Sequence, residues 1–359
     1  MSAIPTQQKA LLLESKHGKF SVGTIEVPKP GPDSVLVKVE ATALNPLDWK
    51  IQAYGLFVEH FPTVLGFDAA GPVVAVGENV TDVAVGDRVI AQGWFNPVEG
   101  TAHGTFQEYY DTPARFVAKV PETISYDEAA TIPSCLGTAA FALYNKVSDE
   151  NFSSSKLLAP WVEGGRGHYA GKPILVLAGA SSVGQFVIQL ARLSGFSPII
   201  TTASLHNAPF LKSLGATHVI DRKLPAEQIK AEAIKLGGGL FEYVFDAVSV
   251  AETLELGYAL TAPKGDLMVV LSGAELKAAH PDTDKRIHNA QALFVMPVNH
   301  DIAASLLAAV PRLFANGDLK PNRPEVLPGG LNGIVGGMER LKKDQVSGVK
   351  LVVRPPETA

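Results

Sequence analysis

The stretch "LVLAGASSVGQFVIQLARLSG", residues 175 to 195, constrains the fold more than any other part of the chain. It opens as a short apolar run and crosses a turn of small residues: Gly179, Ala180, Ser181, Ser182, Val183, Gly184. It leaves with apolar residues at helical spacing. A buried run of strand length that passes at once into an amphipathic helix is the start of a βα unit. The window 174–193 is apolar but switches period in its middle, so it reads as strand plus core-facing helix and not as a membrane span. The pattern then repeats. Strands expected at 197–203, 218–222, 243–248 and 266–273 alternate with helices at 208–215, 225–236 and 251–261. Such alternation predicts a parallel, doubly wound sheet.

The chain has 359 residues, enough for two domains of roughly 100–200 residues each. Residues 9–120 have a different texture: short β-branched runs such as "SVLVKVEATAL" (34–44) and "GDRVIAQG" (86–93), cut by glycine and proline, as in a barrel or sandwich. The segment 125–145 reads as helix interrupted by Pro133 and Gly137. The polar, Gly/Ser-rich segment 146–173 reads as an exposed connection. Residues 301–316 read as a helix, and the end of the chain as helix then strand. Apolar residues make up 46% and charged residues 19%, which supports packed cores. With net charge −5 and no Lys/Arg-rich run, neither nucleic acid nor an anionic membrane is the expected partner. Cys135 is the only cysteine, so an intramolecular disulfide is impossible. That usage, and an N-terminus without a basic region leading into a long apolar stretch, point to the cytoplasm.

A nucleotide-binding βαβ unit needs a tight turn after its first strand, close backbone approach to the pyrophosphate, and a helix N-terminus aimed at it. Gly179 and Gly184 are spaced as the first and last glycines of GxGxxG, with Ser181 at the middle position. A plain turn with Ser181 or Ser182 as helix N-cap is the alternative. A GxSxG serine elbow fails, because Val183 stands where its second glycine must be. Cofactor choice is read about 20 residues further on, where an acidic residue holds the ribose of NAD. Residues 201–218 contain no acidic residue. Ser204, His206, Asn207 and Lys212 are available to a 2′-phosphate, with Arg222 at the next strand end, so NADPH is preferred. The alternative is that these residues only cap helix 208–215.

"ATALNPLDWK" (41–50), "LGFDAAGPVVAVGENVTDVAVGDRV" (65–89), "GASSVG" (179–184), "SLGATHVIDR" (213–222) and "SGVKLVVR" (347–354) together resemble the medium-chain dehydrogenase/reductase superfamily. "ASLHN" (203–207) and the ending are most similar to its fungal zinc-independent branch. That branch includes trans-acting enoyl reductases of polyketide pathways and related quinone or aldehyde reductases. The resemblance implies an α/β protein: a GroES-like β-barrel-type catalytic domain plus a Rossmann doubly wound parallel sheet domain, with the active site in the cleft. The expected division is 1–135 for the first part of the catalytic domain, 136–305 for the NADPH-binding domain and 306–359 for the return to the catalytic domain.

Zinc-dependent relatives need Cys and His ligands and a separate four-cysteine site. This chain has one cysteine, and the position of their "GHE" reads Gly66-Phe67-Asp68. Phe67 cannot ligate a metal, and Asp68 is expected to be structural, since one carboxylate without partner ligands is not a metal site. No metal is expected. Without zinc, a C=C bond conjugated to a carbonyl suits hydride transfer: hydride goes to Cβ, charge moves to the carbonyl oxygen, and a donor protonates Cα. The resemblance implies site residues. Asn45 donates to the carboxamide or the substrate carbonyl, with Pro46, Leu47 and Asp48 beside the nicotinamide half. Thr138 touches the cofactor. Ala180 to Val183 cradle the pyrophosphate. Leu271 and Ser272, at a strand end, pass the nicotinamide ribose, and Val352 and Val353 close the cleft. Asp48 as a helix cap, and the two valines as strand core, are the alternatives. Tyr54 and solvent compete as proton donor. Apolar residues in the loops that decide substrate (Phe57, Trp94, Phe95, Phe294, Met296, with Tyr54) suggest a hydrophobic pocket, or else simple packing. An aldehyde or quinone reductase, and a non-catalytic NADPH-binding protein, remain alternative functions. A polyketide synthase is the partner the branch implies, and both monomer and homodimer are open.

Overall fold

The computed structural model describes residues 4–96, 100–149, 152–290 and 292–359. The chain divides into two compact units. The first comprises Met1–Ser134, Val310–Ala315 and Pro321–Ala359, and the second Cys135–Ala309 and Asn316–Lys320.

In the first unit, β-branched runs form sheets. The larger sheet has the path Tyr109–Pro113, Ser34–Lys38, Asp68–Val76, Ala41–Ala43, Lys350–Val353, Pro324–Val326, with Arg88–Gln92 and Val117–Lys119 beside it. A core of Val35, Val37, Val39, Val73, Val89 and Tyr110 lies against it. The strand Lys350–Val353 comes from the end of the chain yet lies inside the sheet, antiparallel to Ala41–Ala43 and parallel to Pro324–Val326. A smaller sheet joins Phe20–Glu26, Gln7–Leu13 and Thr63–Val64, and a hairpin pairs Trp94–Asn96 with Thr101–His103. The helix Pro46–Tyr54 starts at Asn45, with proline at its first position, where the missing N–H costs nothing.

The second unit holds six strands in the spatial order His218–Asp221, Ile199–Ala203, Ile174–Leu177, Phe241–Asp246, Thr261–Val269, Arg286–Asn289. All are parallel, and numbered along the chain they run 3-2-1-4-5-6, the order of dinucleotide-binding sheets. Leu175, Leu177, Ile200, Val244 and Leu267 fill the core on this sheet.

Local structure departs from the sequence pattern in places. The interruption expected at Pro133 divides the helical segment 125–145 into Tyr126–Ala129 and Pro133–Tyr144, because Pro133 suits a helix start and not an interior, while the second helix runs on through Gly137. The segment 146–173 is not simply exposed. Leu157 and Trp161 are buried, Trp161 packs edge-on against Tyr144 and donates to Ser305 Oγ at 3.0 Å, and Tyr169 stacks on Phe196. The strand expected at 266–273 runs Thr261–Val269, and the chain has left the sheet before Leu271. The sixth strand, Arg286–Asn289, is too polar to read as a strand from its residues.

Polar ties hold that sixth strand. His288 lies between Ser153 Oγ (2.9 Å from Nδ1) and Asp266 Oδ1 (2.6 Å from Nε2), while Arg286 grips both oxygens of Asp266 at 2.7 and 2.9 Å. Burial pushes the Asp266 carboxyl up, but His288 and Arg286 outweigh it and hold the group below its usual range.

Candidate functional site

The turn at 178–184 is built for close approach. Ala178 has φ +58°, and its N–H donates to Thr202 Oγ1 at 2.9 Å, so the chain reverses sharply off the strand. A Cβ on Gly179 would sit 2.0 Å from Thr201 Oγ1, and one on Gly184 would sit 2.5 Å from the Ala178 carbonyl oxygen. Both positions therefore require glycine for packing of strand against helix. Ser181 caps the helix Ser182–Ser194, its Oγ accepting from Gly184 N–H at 3.1 Å. Ala180, Ser181, Ser182 and Val183 remain partly exposed at that helix N-terminus, where N–H groups and the helix dipole favour an anion. The turn is therefore a serine-capped helix start. A dinucleotide pyrophosphate fits the partly exposed N-terminus of this helix, and the two glycines let strand and helix pack closely behind it.

The next strand end carries the second element. Strands Ile199–Ala203 and His218–Asp221 pair with Ala203 opposite Asp221, which places Ser204 beside Arg222. Arg222 Nε donates to Ser204 Oγ at 3.0 Å, and Arg222, Lys223 and His206 are all exposed. A guanidinium steered by a hydroxyl suits a phosphate monoester. Asn207 is 3% exposed and does not share that open face. Lys212 is exposed in the last turn of helix Ala208–Leu214.

In the first unit the helix Pro46–Tyr54 begins in a buried polar centre. Asn45 Nδ2 donates to Asp68 Oδ2 at 2.8 Å, and Lys350 Nζ donates to Asn45 Oδ1 at 2.7 Å. Lys350 Nζ lies 3.1 Å from Asp68 Oδ2, with both side chains buried. Asp68 Oδ1 accepts from Ser134 N–H at 2.6 Å. Asp68, expected to be structural, is the hub of this centre. Both ends of the Asn45 amide are engaged within this centre. Asp48 is fully buried, its Oδ2 accepting from Asn45 N–H at 2.6 Å, while Oδ1 has no partner. Burial pushes its carboxyl up to about 8, against the backbone N–H of Asn45, with Asp68 pushing further and Lys350 opposing. Asn45 thus is the N-cap, and Asp48, at the third helical position, closes the capping box through a carboxyl that burial keeps well above its usual range. Lys350 escaped the sequence reading because a lysine in a β-rich tail is normally placed at the surface. The only signal was its place in "SGVKLVVR".

The remaining candidates separate by environment. Tyr54 is 60% exposed and closes the helix that Asn45 opens, about 12 Å further along the axis, with its ring packed on Trp49. The two do not meet. Phe57 is exposed and stacks on Phe95 at 4.5 Å, and Phe95 meets Phe67 edge-on at 6.2 Å. Phe67, 4% exposed, thus anchors an aromatic row that opens at Phe57. Trp94 stacks on His103 across the hairpin. Phe294, expected in the pocket, is core of the second unit: it is 2% exposed, its ring 5.6 Å from Phe141, and a Cβ on Gly137 would strike it. Met296 is half-buried in the same unit, and Thr138 is half-buried within helix Pro133–Tyr144. Leu271 and Ser272 are exposed beyond the end of their strand, not on it. Val352 and Val353 are 0% exposed, on the strand that pairs with Ala41–Ala43. Pro46 is exposed and Leu47 half-buried on the first turn of their helix.

Residues 31–122 match the family described as alcohol dehydrogenase GroES-like domain, and residues 182–296 the family described as zinc-binding dehydrogenase. The chain is 33% identical to a trans-enoyl reductase of Aspergillus flavipes, over 97% of this chain and 99% of the relative. It is 30% identical to a trans-enoyl reductase of Penicillium crustosum, over 97% of each. Among solved structures, an alcohol dehydrogenase superfamily protein from Novosphingobium aromaticivorans shares the fold with a TM-score of 0.76 at 24% identity, over 97% of this chain and 99% of that one.

Proposed function

This chain belongs to the medium-chain dehydrogenase/reductase superfamily, in its fungal enoyl reductase branch, and we propose that within it the protein is an NADPH-dependent, zinc-independent reductase of C=C bonds conjugated to a carbonyl. That it is an oxidoreductase follows from the family. The observation that carries the finer reading is the likeness, along nearly the whole chain, to two trans-enoyl reductases. Phe67 supports zinc independence, since a phenyl ring stands where zinc-dependent relatives place a ligand. The Ser204–Arg222 pair supports NADPH over NADH.

The turn 179–184 would hold NADPH, whose chemistry when bound would be hydride donation to Cβ of the substrate. The chain's own residues do the rest. Val183 N–H and the N-terminus of helix Ser182–Ser194 would hold the pyrophosphate, and Ser204, His206 and Arg222 would hold the 2′-phosphate. Asn45 donates its remaining amide hydrogen to the oxygen on which negative charge collects, where a preorganised donor lowers the barrier most. Solvent protonates Cα, because Tyr54 lies at the far end of its helix from Asn45. The aromatic row Phe57–Phe95–Phe67 receives the apolar chain of the substrate. The relatives' names support an acyl chain presented in trans by a polyketide synthase. Among the described residues, no helix is long and apolar enough to cross a membrane.

Product analysis with deuteride-labelled NADPH and cinnamaldehyde tests the reading. Deuterium on Cβ of the saturated aldehyde is expected. Deuterium on C1 of the allylic alcohol would assign a carbonyl reductase instead, and tight NADPH binding without turnover across enals, enones, enoyl thioesters and quinones would assign a non-catalytic protein.

A further inference from the structure

We propose that Lys350, together with Asp68, is a positioning residue for this reaction: the two charges fix which way round Asn45 holds its carboxamide, and so make Asn45 a donor and not an acceptor toward the substrate oxygen. The inference rests on the reading of the chain as a C=C reductase with Asn45 beside the reacting atoms.

The two ends of a carboxamide are nearly equal in shape, and only their partners decide which is which. Here the partners leave no choice. An ammonium can only donate, so the end 2.7 Å from Lys350 Nζ is Oδ1. An ionised carboxylate can only accept, so the end 2.8 Å from Asp68 Oδ2 is Nδ2. Turning the amide over would set N–H against ammonium and C=O against carboxylate, two repulsive contacts in a site where Lys350 is 3% and Asp68 0% exposed. Asp68 cannot swing away to relieve them, because its other oxygen is held by Ser134 N–H. Nδ2 carries two hydrogens and spends one on Asp68, which leaves one for a ligand. The ammonium on Oδ1 also draws density out of the amide, which strengthens that remaining donor. The third ionisable group in contact with the centre, Asp48, bonds the backbone N–H of Asn45 and leaves the amide free.

Packing alone does not explain this arrangement. A buried ion pair gains little over apolar side chains of similar volume. Lys350 begins a strand whose next three residues, Leu351, Val352 and Val353, are buried and apolar.

The test uses the full-length protein with NADPH and cinnamaldehyde, measuring kcat, KM and, by fluorescence, the NADPH Kd for Lys350→Met, Lys350→Arg, Asn45→Ala and the double variant K350M/N45A. Loss of a charge-assisted bond predicts a fall of about 10–100-fold in kcat for Lys350→Met, with NADPH Kd changed less than about threefold. Lys350→Arg, which keeps donors toward Oδ1, is expected to restore most of the rate. Because Lys350 acts through Asn45, the double variant is expected to be no slower than Asn45→Ala alone. A Lys350→Met enzyme with kcat within about twofold of wild type, or a double variant whose loss is the product of the two single losses, overturns the proposal. If Lys350→Met does not fold, Asp68→Leu is the substitute of similar size: it removes the acceptor that fixes the amide, and an unchanged kcat there also overturns it. A wild-type enzyme that leaves the C=C bond intact overturns the functional reading first, and is told apart because it fails before any substitution is made.

Discussion

Asp48 shows what burial does to a single residue. Its carboxyl is pushed up to about 8 inside the protein, against an ordinary value near 3.8. Between those values the folded chain holds a proton that the unfolded chain has lost. Stability therefore falls as pH rises through that window, by up to about 1.4 kcal/mol per pH unit. Asp48→Asn keeps an acceptor for Asn45 N–H and removes the ionisation, so the variant is expected to gain on wild type as pH rises. Urea unfolding at about pH 5 and about pH 8 checks this, and parallel behaviour of the two proteins would refute it. Arg222 is the residue-scale test of cofactor choice. Arg222→Ala is expected to weaken NADPH binding about 10–100-fold while NADH binding barely changes; equal loss for both cofactors would remove Arg222 from the 2′-phosphate site.

At the scale of elements, the strand–turn–helix at 174–194 was legible because every level of the sequence agrees there: apolar run, small residues at the turn, a capping serine, amphipathic spacing. The prediction belongs to the turn. A methyl on Gly179 would meet Thr201 Oγ1 and Ile188, so Gly179→Ala is expected to cost about 1–3 kcal/mol in thermal or urea unfolding. Removing the cap with Ser181→Ala is expected to cost only about 1 kcal/mol. The strand Arg286–Asn289 was not legible, since its partners, Asp266 on the neighbouring strand and Ser153 far upstream, supply what its own residues do not. His288→Ala is expected to speed amide hydrogen exchange in residues 152–157 and 286–289 and to leave strand Ile174–Leu177 unchanged; uniform exchange across both regions would contradict this account of the tie.

At the scale of the molecule, the chain order and the spatial order part company. The strand Lys350–Val353 sits between Ala41–Ala43 and Pro324–Val326, so the first unit cannot complete its sheet until the chain has passed through the second. A truncation that removes residues 347–359 is expected to cost the first unit its cooperative unfolding transition, while the parallel sheet of the second unit, which draws no strand from that tail, retains its own. Two calorimetric transitions in the truncated protein would contradict this.

Local pattern determined the βα series, the glycine turn and its serine cap, and the absence of an acidic residue after the second strand, because period, turn chemistry and charge act over a few residues and are written in order along the chain. Only the tertiary structure decided the polar centre. Asn45 and Lys350 are separated by 305 positions, and a lysine is buried only where a carboxylate and an amide wait for it. Whether a charged side chain turns inward depends on partners that the chain brings together through space, and no window of sequence around either residue contains both.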